Sequence, residues 1–97
     1  MRIIALSTLR AFWERHPEAE LPLRNWYAEA SRADWGTPAA IKAAYRNASF
    51  IANNRVVFNI KGNDYRLVAA VHYDRKQMFI RFVGTHQQYD KITVETI

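Results

Sequence analysis

The sequence predicts an α+β domain in which helices, mostly N-terminal, pack on one face of a twisted antiparallel sheet. Two features carry this prediction. Apolar side chains recur at helical spacing through the first 45 residues, and from Ser49 onward β-branched and aromatic residues alternate between turn-forming pairs. With 97 residues, 49% of them hydrophobic and 13% aromatic, and no linker, repeat or low-complexity tract, residues 1–97 are expected to form one domain, because a chain of this size supports one core.

Residues 2–6, RIIAL, read as a short first strand. Ser7 or Thr8 then caps a helix carrying Leu9, Phe12 and Trp13 on one side, and Pro17 stops it. A second helix is expected from about Pro22 to Ala33, where Leu23, Trp26, Tyr27 and Ala30 fall at i, i+3, i+4 and i+7, a stripe that faces a core. In TPAAIKAAY, Thr37 is an N-cap and Pro38 occupies the first helical position, where its missing N–H is not needed.

Turn signals at Asn53-Asn54, Gly62-Asn63 and Asp74 to Gln77 divide the remainder into strands at roughly 55–61, 64–74 and 77–85, with 49–52 as a candidate fourth. A two-residue hairpin loop at Gly62-Asn63 sets Lys61 against Asp64, Asn59 against Arg66 and Phe58 against Leu67. One face then collects Val56, Phe58, Ile60, Tyr65, Leu67, Ala69, Val71, Ile80 and Phe82, to be covered by helices. The other collects Asn59, Lys61, Arg66, His72, Arg81 and Thr85 among Val57, Val68, Ala70, Phe79 and Val83. This assignment holds only without a β-bulge. The second face is half apolar and is expected to be covered in part by a partner segment.

Fourteen basic residues against nine acidic ones give a net charge of +5 and a pI near 9.9, which favours polyanionic partners such as RNA or DNA. The absence of cysteine excludes disulfides, thiolate nucleophiles and cysteine metal sites. His16, His72 and His86 lack the close spacing of a zinc site, and no glycine-rich phosphate loop occurs. The apolar run before Arg10 is too short for a secretory signal, and no long uncharged span is present, so a cytoplasmic protein with no membrane contact is expected.

Arg66, Arg81 and Lys61 on one sheet face, followed by His86 and Tyr89 just past the last strand, suit a phosphodiester site. Arginine offers a planar, always charged fork to phosphate oxygens as a ribose 2′-hydroxyl attacks, while histidine or tyrosine can move a proton or stack on a base. On pattern alone, the same cations also describe an ordinary solvated sheet face, His86 a cap, and Tyr89 a packed aromatic. His16 and His72 read as structural, and the three tryptophans as packing.

The segment NIKGNDYRLVAAVHYDRKQMFIRFVGTHQQYDKI, residues 59–92, resembles the HigB group of RelE-like toxins of bacterial type II toxin–antitoxin operons. The likeness lies in a KGN turn, a YRLV strand, the Ile80-Arg81 step and the closing TH-x-x-YDKI, and it extends to the W-x-x-H-P end of the first helix at Trp13 to Pro17. It implies a RelE-like fold and an endoribonuclease that needs no metal and no cofactor. The implied substrate is mRNA on the translating ribosome, and the implied partner is a HigA-type helix-turn-helix antitoxin that neutralises the enzyme. Arg66, Arg81, His86 and Tyr89, which match the family's basic sheet residues and closing motif by position, are the expected catalytic residues, Arg81 ranking first for its place mid-strand, diagonal to Arg66 and close to His86. Lys61, Asn59, Asn63 and Lys91 are the expected RNA contacts, and Asp90 either serves the site or pins the final turn through Lys91 or Arg81. Gln88 stands where relatives often carry an acidic residue, so a carboxylate base at that position is missing. The competing expectations are a non-catalytic basic module that binds RNA or protein, and an inactive toxin relative kept as an antitoxin-binding subunit.

Overall fold

In the computed structural model, which describes residues 1–97, the chain runs β1 (Arg2–Ile4), α1 (Leu6–Arg15), a 3-10 turn (Pro17–Ala19), α2 (Glu20–Arg32), α3 (Pro38–Ala44), β2 (Ser49–Ile51), β3 (Arg55–Ile60), β4 (Tyr65–His72), β5 (Gln77–Thr85), α4 (His86–Tyr89) and a last 3-10 turn (Val94–Thr96). The α+β class is as the sequence predicts. The strands form one open sheet in the order β1-β5-β4-β3-β2. It is mixed rather than wholly antiparallel, because β1 pairs parallel to β5, Arg2 opposite Gln77. The long connection between these two strands permits that geometry.

Local chemistry explains most boundaries. Helix α1 buries Leu9, Phe12 and Trp13, but it begins at Leu6 after Ala5 rather than behind a Ser7 or Thr8 cap. Pro17 opens the 3-10 turn, and α2 starts at Glu20, two residues earlier than expected, since Pro22 falls within its first turn where no intrahelical N–H bond is lost. Leu23, Trp26 and Ala30 are buried, with Tyr27 half-buried beside them. Thr37 caps α3, its hydroxyl accepting from the Ala40 N–H at 3.3 Å, with Pro38 at the first position. Between these helices and one sheet face lies the main core, where Trp26 meets Phe58 edge-on at 5.2 Å and Leu67 and Met78 are wholly enclosed. Each large side chain so enclosed contributes about 1.5–3 kcal/mol.

The hairpin register is the expected one: Asn59 faces Arg66 and Phe58 faces Leu67. Between β4 and β5 the register shifts. Ala69 pairs with Ile80 but Val68 pairs with Phe82, so Arg81 is an extra residue with no partner. The bulge exchanges every later side chain between faces. Phe82, expected in the main core, lies with Val57 and Val68 on the opposite face, and Val83, expected there, packs against the main core. Thr85 stands opposite Tyr65 and Gly84 opposite Arg66.

The second face is covered, and by this chain. Val57, Val68 and Val94 form a separate buried cluster, flanked by Ile92 and Ile97 and by Phe82 and Tyr89. Arg81 Nε donates to the Ile97 carbonyl oxygen at 3.1 Å, and Arg55 Nη2 donates to the same oxygen. The expectation that a partner segment covers part of this face is corrected for Val57 and Val68, which the chain covers itself.

Gly84 is fixed by this arrangement. A Cβ there would lie 2.5 Å from Phe82 Cζ and 2.7 Å from Gln88 Oε1, inside any real contact. Gly84→Ala is therefore expected to lower stability by about 1–3 kcal/mol, the usual effect of overpacking. Denaturant unfolding would measure it, and an unchanged midpoint would mean that Phe82 yields freely.

Candidate active site

The hairpin 61–64, the end of β5 and the start of α4 meet at one end of the sheet, opposite the 3-10 turn after α1. Residue by residue this placement follows from local signals. Gly62 takes a positive φ of 64° in the hairpin turn, a conformation open to glycine, and the Asp64 N–H donates to the Lys61 carbonyl at 3.2 Å. Thr85 caps α4 reciprocally: its hydroxyl accepts from the Gln88 N–H at 3.2 Å, and the Gln88 side chain accepts from the Thr85 N–H at 2.9 Å. Gln88, the departure noted in the closing motif, is thus engaged in holding the helix that carries His86.

The result is an open cleft of about 700 Å³. Arg66, His86, Asn63 and Asp64 line it together with Thr85, and so do His16, Glu18 and Tyr65. Arg66 Nη1 donates to the Asn63 and Tyr65 carbonyls at 3.0 and 3.2 Å, leaving Nε and Nη2 as an unengaged fork. Its guanidinium carbon lies 5.9 Å from the centre of the Tyr89 ring, within reach of a cation–π contact. His86 Nδ1 is 3.5 Å from Asp90 Oδ2. Asp90 thus lies beside His86, and its expected links to Lys91 or Arg81 are not formed. The carboxylate lies on the Nδ1 side of the ring, and the His86 side chain lines the cleft.

Of the residues expected from the sequence, Arg66, His86 and Asn63 line the cleft. Lys61 sits at its rim, Nζ 3.1 Å from Asp64 Oδ2. Tyr89 does not line it but supports Arg66 from below, packed at 6.4 Å against Phe82. Asn59 pairs with Arg66 across the hairpin without lining the cleft. Lys91 belongs to an adjoining groove of about 430 Å³ with Arg15 and Phe12, joined to the cleft through His16. Arg81 is in neither. Gly84, not Arg81, faces Arg66, and the bulged Arg81 lies three residues back along β5, roughly 10 Å of strand away.

Three residues enter that the pattern alone assigned to packing or left aside. His16 stacks on Phe12 at 4.4 Å and meets Tyr65 edge-on at 6.0 Å. The Tyr65 hydroxyl donates to Glu18 Oε1 at 2.8 Å. That bond, with Glu18's own main-chain N–H and the nearby Lys61 and His16, holds the Glu18 carboxyl below its usual range. Burial, then the bond to Glu18, pushes the Tyr65 phenol up to about 12, so it remains a donor at neutral pH. A signal for this wall existed only in the H-P-E step after α1, where proline turns the chain back over the sheet end.

The chain is similar to known proteins over most of its length. A family model described as HigB toxin, RelE-like toxic component of a toxin-antitoxin system, matches residues 19–92. The mRNA interferase HigB of Escherichia coli O6:H1 is 27% identical over 95 residues, which span 96% of this chain and 92% of that protein. The mRNA interferase toxin HigB of Escherichia coli strain K12 and the mRNA interferase HigB of Shigella flexneri are each 28% identical over 96 residues, spanning 96% of this chain and 91% of theirs.

Proposed function

From its membership of the HigB family of RelE-like toxins, to which this chain belongs, we propose that it is an endoribonuclease that cleaves mRNA and is held in check by an antitoxin. The observation that carries the reading is the cleft itself: an unengaged arginine fork and a carboxylate-paired histidine face one space at the end of the sheet.

These groups suit cleavage by the RNA's own 2′-hydroxyl. The 2′-oxygen attacks the adjacent phosphorus and the bond to the 5′-oxygen breaks, leaving a 2′,3′-cyclic phosphate and a 5′-hydroxyl. Nε and Nη2 of Arg66 meet the phosphate oxygens, where negative charge builds in the transition state. His86 Nε2 handles a proton, taking it from the 2′-hydroxyl or giving it to the departing 5′-oxygen. Tyr89 steadies the guanidinium from beneath. Lys61, Asn63 and Lys91 attract the flanking backbone, and Asn59 supports Arg66 across the hairpin. Arg81 lies outside the cleft, its Nε engaged by the Ile97 oxygen. All these roles need no metal. The cleft is broad and open, which fits a strand presented on a translating ribosome, and the basic surface fits an acidic segment of a HigA-type antitoxin.

Expression without antitoxin is expected to arrest growth and to create new 5′ ends in a translated reporter message, read by primer extension. Folded protein that creates none would leave a binding module in place of the nuclease.

A further inference from the structure

The wall formed by His16, Glu18 and Tyr65 has no task in the chemistry above, and His16 and Glu18 lie outside the residues that the family model matches. Two observations give it one. His16 is a fixed aromatic plate, stacked on Phe12 behind it and braced by the Tyr65 edge, half-buried yet lining the cleft. Beside it Glu18 is anchored through one oxygen by Tyr65, while no other side chain bonds to it.

A carboxylate so placed suits one of two jobs, and its electrostatics separate them. A general base works best with a pKa near the working pH. Tyr65 and the nearby Lys61 and His16 shift Glu18 the other way, so it stays ionised and is a weak proton acceptor. A permanently charged acceptor next to an aromatic plate is instead suited to reading a nucleobase: the plate stacks on the ring and the carboxylate accepts from its edge. Adenine N6, cytosine N4 and guanine N2 carry amino donors. Uracil offers only its imino N3–H, flanked by two carbonyl oxygens that would face the carboxylate.

We propose that His16 and Glu18 form a nucleobase subsite beside the scissile phosphate, which selects bases bearing an exocyclic amino group against uracil. The inference rests on the nuclease reading and adds the source of its sequence preference. Tyr65 is a positioning residue, acting through Glu18.

Mapping 5′ ends across the transcripts of cells expressing the chain tests this. Cleavage by the wild-type protein is expected to disfavour uracil at one position flanking the cut by roughly tenfold, the size of one good base contact. Glu18→Gln, whose amide oxygen still accepts from Tyr65, is expected to keep cutting while losing that discrimination. Tyr65→Phe, which keeps the buried ring, should lose it in part. His16→Ala should cut about tenfold less at all sequences, with His16→Phe restoring the rate. Unchanged discrimination in Glu18→Gln overturns the subsite, as does a wild-type pattern with no position depleted of uracil. Complete loss of cleavage in folded Glu18→Gln also overturns it, because the carboxylate would then serve the chemistry. No new ends from the wild-type chain refutes the nuclease reading itself, and the subsite with it.

Discussion

Arg66→Ala is expected to reduce mRNA cleavage about 10²–10³-fold, the usual loss when one preorganised donor to a developing charge is removed. Its stability should be nearly unchanged. The side chain lies at the cleft surface and makes two contacts to carbonyls that water can replace, while the register of β3 and β4 is set by backbone bonds and by Phe58, Leu67 and Val68. Arg66→Lys should recover little, because an ammonium cannot supply the paired donors of the fork. Arg81→Ala provides the contrast: it should loosen the hold on Ile97 and cost far less in rate. Rates on one message with purified variants, beside their thermal unfolding, would separate the two arginines. A dead Arg81→Ala with an active Arg66→Ala would shift the site along β5.

His86→Ala is expected to cost about 10²–10⁴ in rate, the range for loss of a positioned proton-transfer group. The helix that carries it should persist, since its cap is built by Thr85 and Gln88, and the His86 side chain is 52% exposed. Asp90→Asn should lower the rate by a smaller factor, as it weakens the orientation of the ring without removing it. If His86→Ala cuts at the parental rate, proton transfer belongs to another group and His86 is only a cleft wall.

The comparison of these arginines also marks where the sequence is legible. Helical stripes, the Thr37 cap and the Gly62-Asn63 hairpin rest on contacts within a few residues, and each appears as expected, down to Asn59 facing Arg66. Arg66, His86 and Asn63 reach one cleft because the hairpin and the end of β5 share one end of the sheet. The bulge at Arg81 leaves no mark in composition, since Ile80, Phe82 and Val83 are apolar on either face, and one extra residue moves Phe82, Val83 and Thr85 across the sheet. The parallel pairing of β1 and the cover supplied by Val94 and Ile97 join segments far apart in the chain, which no local period encodes. Glu18 was hidden for the same reason: its partner Tyr65 is 47 residues away.

The chemistry of the cut ends tests the central claim most directly. Message recovered from a reaction with the wild-type chain should carry 5′-hydroxyl ends matched by upstream fragments ending in a 2′,3′-cyclic phosphate, and both should vanish with Arg66→Ala. Fragments bearing 5′-phosphates, or 5′-hydroxyl ends formed equally by Arg66→Ala, would contradict cleavage by the 2′-hydroxyl in this cleft.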